Sequence, residues 1–181
     1  MYDVNDFVTG IWEGERSLSE NKAALLSALD PSVRAIIKSL DYEELLKDFE
    51  ESIWELFQDE TPDGGIKIIH FGLREAADGC CVYVAGTKQR EVPEFRDSDC
   101  WDWITQNGGC LNLPILNRLW DRLCGTREDE WEVVLSVFMI LLKAYLDEKG
   151  ESFLETSGLS RVRVSVGFDD GDIYETDLPK A

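Results

Sequence analysis

The sequence predicts an α+β fold, with about five or six helices packed on a mostly antiparallel sheet of four or five strands. Three observations predict it. Helix-start signals recur through the first sixty residues, β-branched runs begin only after Pro62-Asp63-Gly64-Gly65, and the stretch from Trp131 to Leu146 is apolar around nearly its whole circumference. At 181 residues the chain has the length of one domain that can bury a sizeable core, and no repeat, low-complexity tract or long linker divides it. We therefore expect a single domain over 1–181, made of a helical part at 1–60 and an α+β part at 66–178.

Taken in order, the first expected helix is Val4 to Trp12, with Phe7, Val8, Ile11 and Trp12 on one face. Ser17 and Glu20 form a capping-box pattern ahead of Ala23 to Leu29, and Asp30-Pro31 places an N-cap and an N1 proline before a helix that reaches Leu40. Asp41 with Glu44 opens a third helix, Asp41 to Asp59, whose Tyr42, Leu45, Leu46, Phe49, Ile53, Leu56 and Phe57 form one apolar stripe. Ile66 to Leu73 and Cys80 to Ala85 are apolar on nearly both faces, as interior strands are, and the polar residues between them fold the two back as a hairpin. Gly86 to Phe95 extends the sheet in this reading, with Pro93 confining it to an edge.

Asp97 to Trp103 reads as a turn into a short helical segment, and Leu113 to Leu123 as an amphipathic helix. The central helix at 131–146 follows, capped by Thr126 and an acidic first turn, closing at Lys149-Gly150, and needing cover on several sides. Glu151 to Ser160 reads as irregular. Arg161 to Phe168 alternates Val162, Val164, Val166 and Phe168 against Arg161, Arg163 and Ser165; Asp169-Asp170-Gly171-Asp172 then turns the chain into a last strand, Ile173 to Leu178.

Composition restricts the partners. With 37 acidic and 18 basic residues the net charge is −19, which repels phosphate backbones and anionic bilayers and attracts a cationic protein. Nucleic acid and membrane are accordingly not expected partners. The longest apolar run, Val133 to Leu142, is about half of what a bilayer requires. The N-terminal MYDVNDFVTG carries acids where an export signal carries basic residues, so cytoplasmic localisation is expected, with the five cysteines as reduced thiols. No cofactor or metal is expected, since there is no C-x-x-C pair and one histidine, His70.

The acids concentrate in one place. Between Asp41 and Glu60 stand nine acids against Lys47 alone, and Trp54 lies off the apolar stripe among Glu43, Lys47, Glu50 and Gln58. Two readings stand open: Trp54 is an exposed anchor for a protein partner, or another element of the chain covers it. The carboxylates Asp169, Asp170 and Asp172 invite a hard cation, but the same residues serve a tight hairpin turn; Asp97, Asp99 and Asp102 divide likewise between cation binding and capping. His70, on an interior strand, is the side chain any Ser-His or Cys-His mechanism would have to use, and also a satisfied core histidine. Neither a G-x-S-x-G element nor a P-loop accompanies it. Cys80-Cys81 reads as two small hydrophobes in a strand rather than a redox pair.

CVYVAG at 81–86, DSDCWDW at 97–103 and VGFDDGDIY at 166–174 resemble, in that order around a long apolar helix, the layout of small immunity proteins of bacterial toxin–immunity systems. The resemblance covers about half of the chain and its motifs are structural. It implies a cytosolic antidote that binds and blocks a toxin, and it carries over no functional residue. Together with the charge it leads us to expect a non-enzymatic inhibitor of a cationic, nuclease-type toxin domain, with Glu43, Glu50, Glu51, Trp54 and Glu55 as the partner-binding face and Asp169, Asp170 and Asp172 as a second patch. The competing expectations are a small metal-assisted enzyme built on acidic loops near His70, and an adaptor or structural subunit.

Overall fold

The computed structural model describes residues 10–12, 14, 16–76, 79–93, 100–105, 111, 113–123, 130–168 and 173–179. Its elements are α1 Leu18–Ala28, α2 Pro31–Lys38, α3 Tyr42–Asp59, β1 Ile68–Ala76, β2 Gly79–Thr87, β3 Trp103–Ile104, α4 Pro114–Leu123, α5 Glu130–Ser157, β4 Val162–Phe168 and β5 Ile173–Leu178. Residues 10–12 are helical as well, and the rest of the helix expected from Val4 lies outside the described residues. The five strands form one sheet in the order β3-β2-β1-β4-β5, antiparallel at every pairing except β1 with β4. The fold is α+β, as the sequence predicts.

The helix starts follow their local signals. Ser17 and Glu20 close a capping box on α1: the Glu20 N–H reaches Ser17 Oγ at 3.4 Å and the Ser17 N–H reaches Glu20 Oε2 at 2.8 Å. α2 starts on the pre-set φ of Pro31, without a side-chain hydrogen bond from Asp30. Asp41 Oδ1 accepts the backbone N–H groups of Glu43 and Glu44, at 3.1 and 3.2 Å, and so opens α3.

The chain divides into two compact units, Met1–Glu50 with Leu113–Glu148, and Glu51–Asn112 with Lys149–Ala181; each boundary inside a described element falls in a helix. The first unit is helical, and residues 133–146 of α5 are buried without interruption. Phe49 meets Phe138 and Tyr145 edge-on there, at 5.8 and 5.5 Å between centroids. Burial raises the phenol pKa of Tyr42 and Tyr145 above the ordinary tyrosine range, with the Glu50 carboxylate adding to it at Tyr145. Lys143 is enclosed in the same core and satisfied by Asp147 one turn on, at 2.7 Å.

In the second unit the sheet carries helix ends on one face. Phe57 of α3 and Phe153 of α5 meet at 5.5 Å, Phe57 stacks on Trp103, and Phe153 leans on Phe71 of β1. The opposite face holds His70, Tyr83, Ala85 and Trp101, with Val92 and Ile104 packed against them. Gly72 of β1 lies beneath the Tyr83 ring, and a Cβ there would overlap it.

Four expectations are corrected. The central helix does not stop at Lys149-Gly150, and 151–157 is not irregular. Lys149 leaves helical geometry (φ −127°, ψ 20°), but α5 resumes because Phe153 and Leu154 are buried apolar anchors. Gly150 is a close-approach residue, with Leu178 Cδ2 at 3.1 Å from where its Cβ would stand. The true stop is Gly158 at φ 71°: its N–H bonds Glu155 O, and the Leu159 N–H bonds Leu154 O, a Schellman closure.

The extension expected over Gly86 to Phe95 reaches only Thr87, and residues 88–93 are not strand. β2 ends at Thr87 because Asp102 Oδ2 takes the Lys88 N–H at 2.7 Å and the Thr87 hydroxyl at 3.0 Å, and the chain bends away. The edge position goes to β3 instead, where Trp103 pairs with Gly86 in extended conformation, so of the helical segment expected within 97–103 the described part keeps only a 3-10 residue at Cys100. Finally, the five cysteines are not all thiols. Cys81 is disulfide-bonded, while Cys100 is free and half-buried.

Candidate functional site

α3 is the element on which sequence and structure converge. Leu45, Phe49, Ile53 and Phe57, spaced four apart, are each at most 1% exposed, and they fix which side of the helix turns inward. At about 100° per residue, Trp54 then points well away from that stripe. It is 55% exposed, the one large apolar side chain among the described residues that is. Among the described residues, no element covers Trp54.

Its surroundings are acidic. Glu50 and Glu51 lie one turn before it on the helix, Glu55 follows it, and Gln58 lies one turn after; Glu43, Glu51, Glu55 and Gln58 are exposed and Glu50 is half-buried. Glu50 also acts on the Tyr145 phenol, which marks it as the inner margin of the face. The arrangement offers a flat aromatic surface ringed by carboxylates, suited to Arg or Lys side chains through both charge and the π face. The second expected patch, Asp169, Asp170 and Asp172, lies outside the described residues. Asp97 and Asp99 do too. Asp102 serves the strand exit, and its two hydrogen-bond donors, the Lys88 N–H foremost and the Thr87 hydroxyl next, hold its carboxyl below the usual range.

The enzyme reading centred on His70. The β1–β4 register sets His70 beside Ser165, with Nδ1 and Oγ 2.9 Å apart, and Trp101 stacks on the imidazole at 5.1 Å. Both His70 and Ser165 are 0% exposed. The contact acts as a buried cross-strand hydrogen bond that fixes the ring. No group of three or more His, Cys, Asp or Glu side chains among the described residues is placed to hold a metal ion.

The chain matches no protein-family model, no curated protein and no solved structure. Its function must then be read from its own surfaces.

One such surface lies outside sequence expectation. Where β1 and β4 begin side by side, Lys67, Arg90, Arg161 and Arg163 line a pocket of about 580 Å³ with Ile68, Val162 and Asp177. Strand order explains the gathering: Lys67 and Arg161 immediately precede β1 and β4, Arg90 follows the end of β2, and Asp177 is near the end of β5, all at one end of the sheet. The alternation at 161–163 is legible in the sequence. What brings Lys67 and Arg90 to it is the parallel β1–β4 pairing, for which no local signal exists.

Proposed function

We propose that this chain is a non-enzymatic inhibitor of the immunity type that its sequence resembles, binding a cationic toxin domain through the α3 face of Glu43, Glu50, Glu51, Trp54 and Glu55. The observation that carries the reading is the 55% exposure of Trp54 on a helix whose other large apolar side chains are buried or half-buried. An exposed tryptophan amid carboxylates combines the anchor and the steering field of a protein-binding hot spot. A domain that cleaves nucleic acid presents basic side chains to phosphate, and an acidic helix face can occupy that cleft in phosphate's place.

No helix among the described residues is long and apolar enough to cross a membrane. Cytoplasmic placement is part of the proposal and rests on the resemblance. The test is the neighbouring gene. It should encode a large secreted protein with a variable C-terminal domain; that domain, expressed alone, should be toxic, and co-expression of this chain should restore growth and give a 1:1 complex. A neighbouring domain that is neither toxic nor bound would remove the reading.

A further inference from the structure

The pocket at the start of β1 and β4 is an anomaly of charge. The chain carries twice as many acids as bases, yet four cations and a single carboxylate line this one cavity, a surplus of three positive charges. The backbone holds them there. The Lys67 N–H bonds Thr87 O and the Arg163 N–H bonds Lys67 O, both at 2.8 Å, and the walls Ile68 and Val162 are buried at 1% and 2% exposure. Arg163 is compensated: its guanidinium lies 3.2 Å from Asp177 and 3.4 Å from Glu175, which raise its pKa further and tie it to β5. Lys67, Arg90 and Arg161 form no ion pair among the described residues. Lys67, Arg90 and Arg161 line the same cavity, and an anion of two or more charges is attracted to all three. At about 8 Å of screening length in physiological salt, acids far from the pocket count for little beside these cations, and the near ones, Asp177 and Glu175, are engaged by Arg163.

We infer that this pocket binds an organic phosphate. Guanidinium forks match the paired oxygens of a phosphoryl group, and its remaining oxygen suits the point charge of a lysine. The volume lies within the range of roughly 300–1,000 Å³ common for small-molecule sites and far exceeds one phosphate group, so the ligand brings a body beyond its charged end. The site is on the sheet, separate from α3, and stands whether or not α3 binds a toxin.

Calorimetric titration of the full chain tests it, with pyrophosphate, inorganic phosphate, ADP and glucose 6-phosphate as probes and citrate as a carboxylate of similar charge. Saturable 1:1 heat is expected with at least one of ADP and glucose 6-phosphate, and which of them binds more tightly identifies the body. Arg90→Gln/Arg161→Gln should weaken that binding by about tenfold or more, the loss expected when charge-assisted contacts go. Lys38→Gln, an exposed lysine at the end of α2, should leave it unchanged. Lys67→Gln serves as an independent second variant should circular dichroism show the double variant misfolded. Absence of saturable heat with every phosphate, wild-type affinity in the variants, or citrate binding as tightly as the best phosphate would overturn the inference.

Discussion

Replacing Trp54 by alanine separates a docking residue from a packing residue. A tryptophan presents up to about 250 Å², so with 55% of it exposed a partner that covers the ring removes roughly 140 Å² from water. At about 25 cal/mol per Å² that burial is worth near 3.4 kcal/mol, and imperfect coverage reduces the expected loss to about 2–3 kcal/mol, or some 30- to 150-fold in Kd. The loss should fall mainly on dissociation, since the ring contributes no charge to steering. Folding should respond differently: Trp54→Ala should shift stability by less than about 1 kcal/mol, whereas Phe57→Ala, at a side chain 1% exposed three residues on, should cost about 3–5 kcal/mol. Surface plasmon resonance against the proposed toxin partner and urea denaturation supply the two readouts. Unchanged affinity together with a denaturation shift like that of Phe57→Ala would refute the reasoning.

Three further perturbations test the frame that presents this face. Gly72→Ala drives a methyl group into the Tyr83 ring and should destabilise the chain by about 1–3 kcal/mol as overpacking does; an unmoved urea midpoint would place the ring elsewhere. Gly158→Ala forces an L side chain to φ 71° at the end of α5 and should cost about 1 kcal/mol, so equal thermal midpoints would contradict the Schellman closure. Asp102 has a folded pKa below its ordinary value, so its contribution is present at neutral pH and is lost as pH falls from the ordinary carboxylate range through that lower value; Asp102→Asn should flatten stability against pH on the acid side, and superimposable profiles would remove the carboxylate from the strand exit.

What the sequence disclosed is what short-range physics controls. The capping box at Ser17, the proline start at Pro31, the stripe on α3, and the alternation of Val162, Val164 and Val166 all depend on neighbours within a few residues, and each stands in the structure. So does the outward position of Trp54, which follows from helical phase; only its exposure needed the rest of the fold. The failures share the opposite cause. Gly150 resembles a stop signal until Leu178, 28 positions later, is seen against it, and the edge strand at Trp103 depends on Asp102 reaching Thr87 and Lys88. The His70–Ser165 contact and the basic pocket both require knowing which strands are adjacent. Charge totals were misleading in the same way, because an acidic average conceals a local surplus of cations.

The central claim is that the acidic face of α3 steers and holds a cationic partner. Stopped-flow association of the proposed toxin partner with wild-type chain and with Glu43→Lys/Glu51→Lys/Glu55→Lys, across a series of salt concentrations, addresses it most directly. The account predicts a wild-type rate that falls steeply with salt, and a variant that associates more slowly with a much flatter dependence. Identical rates and identical salt slopes for the two chains would contradict it.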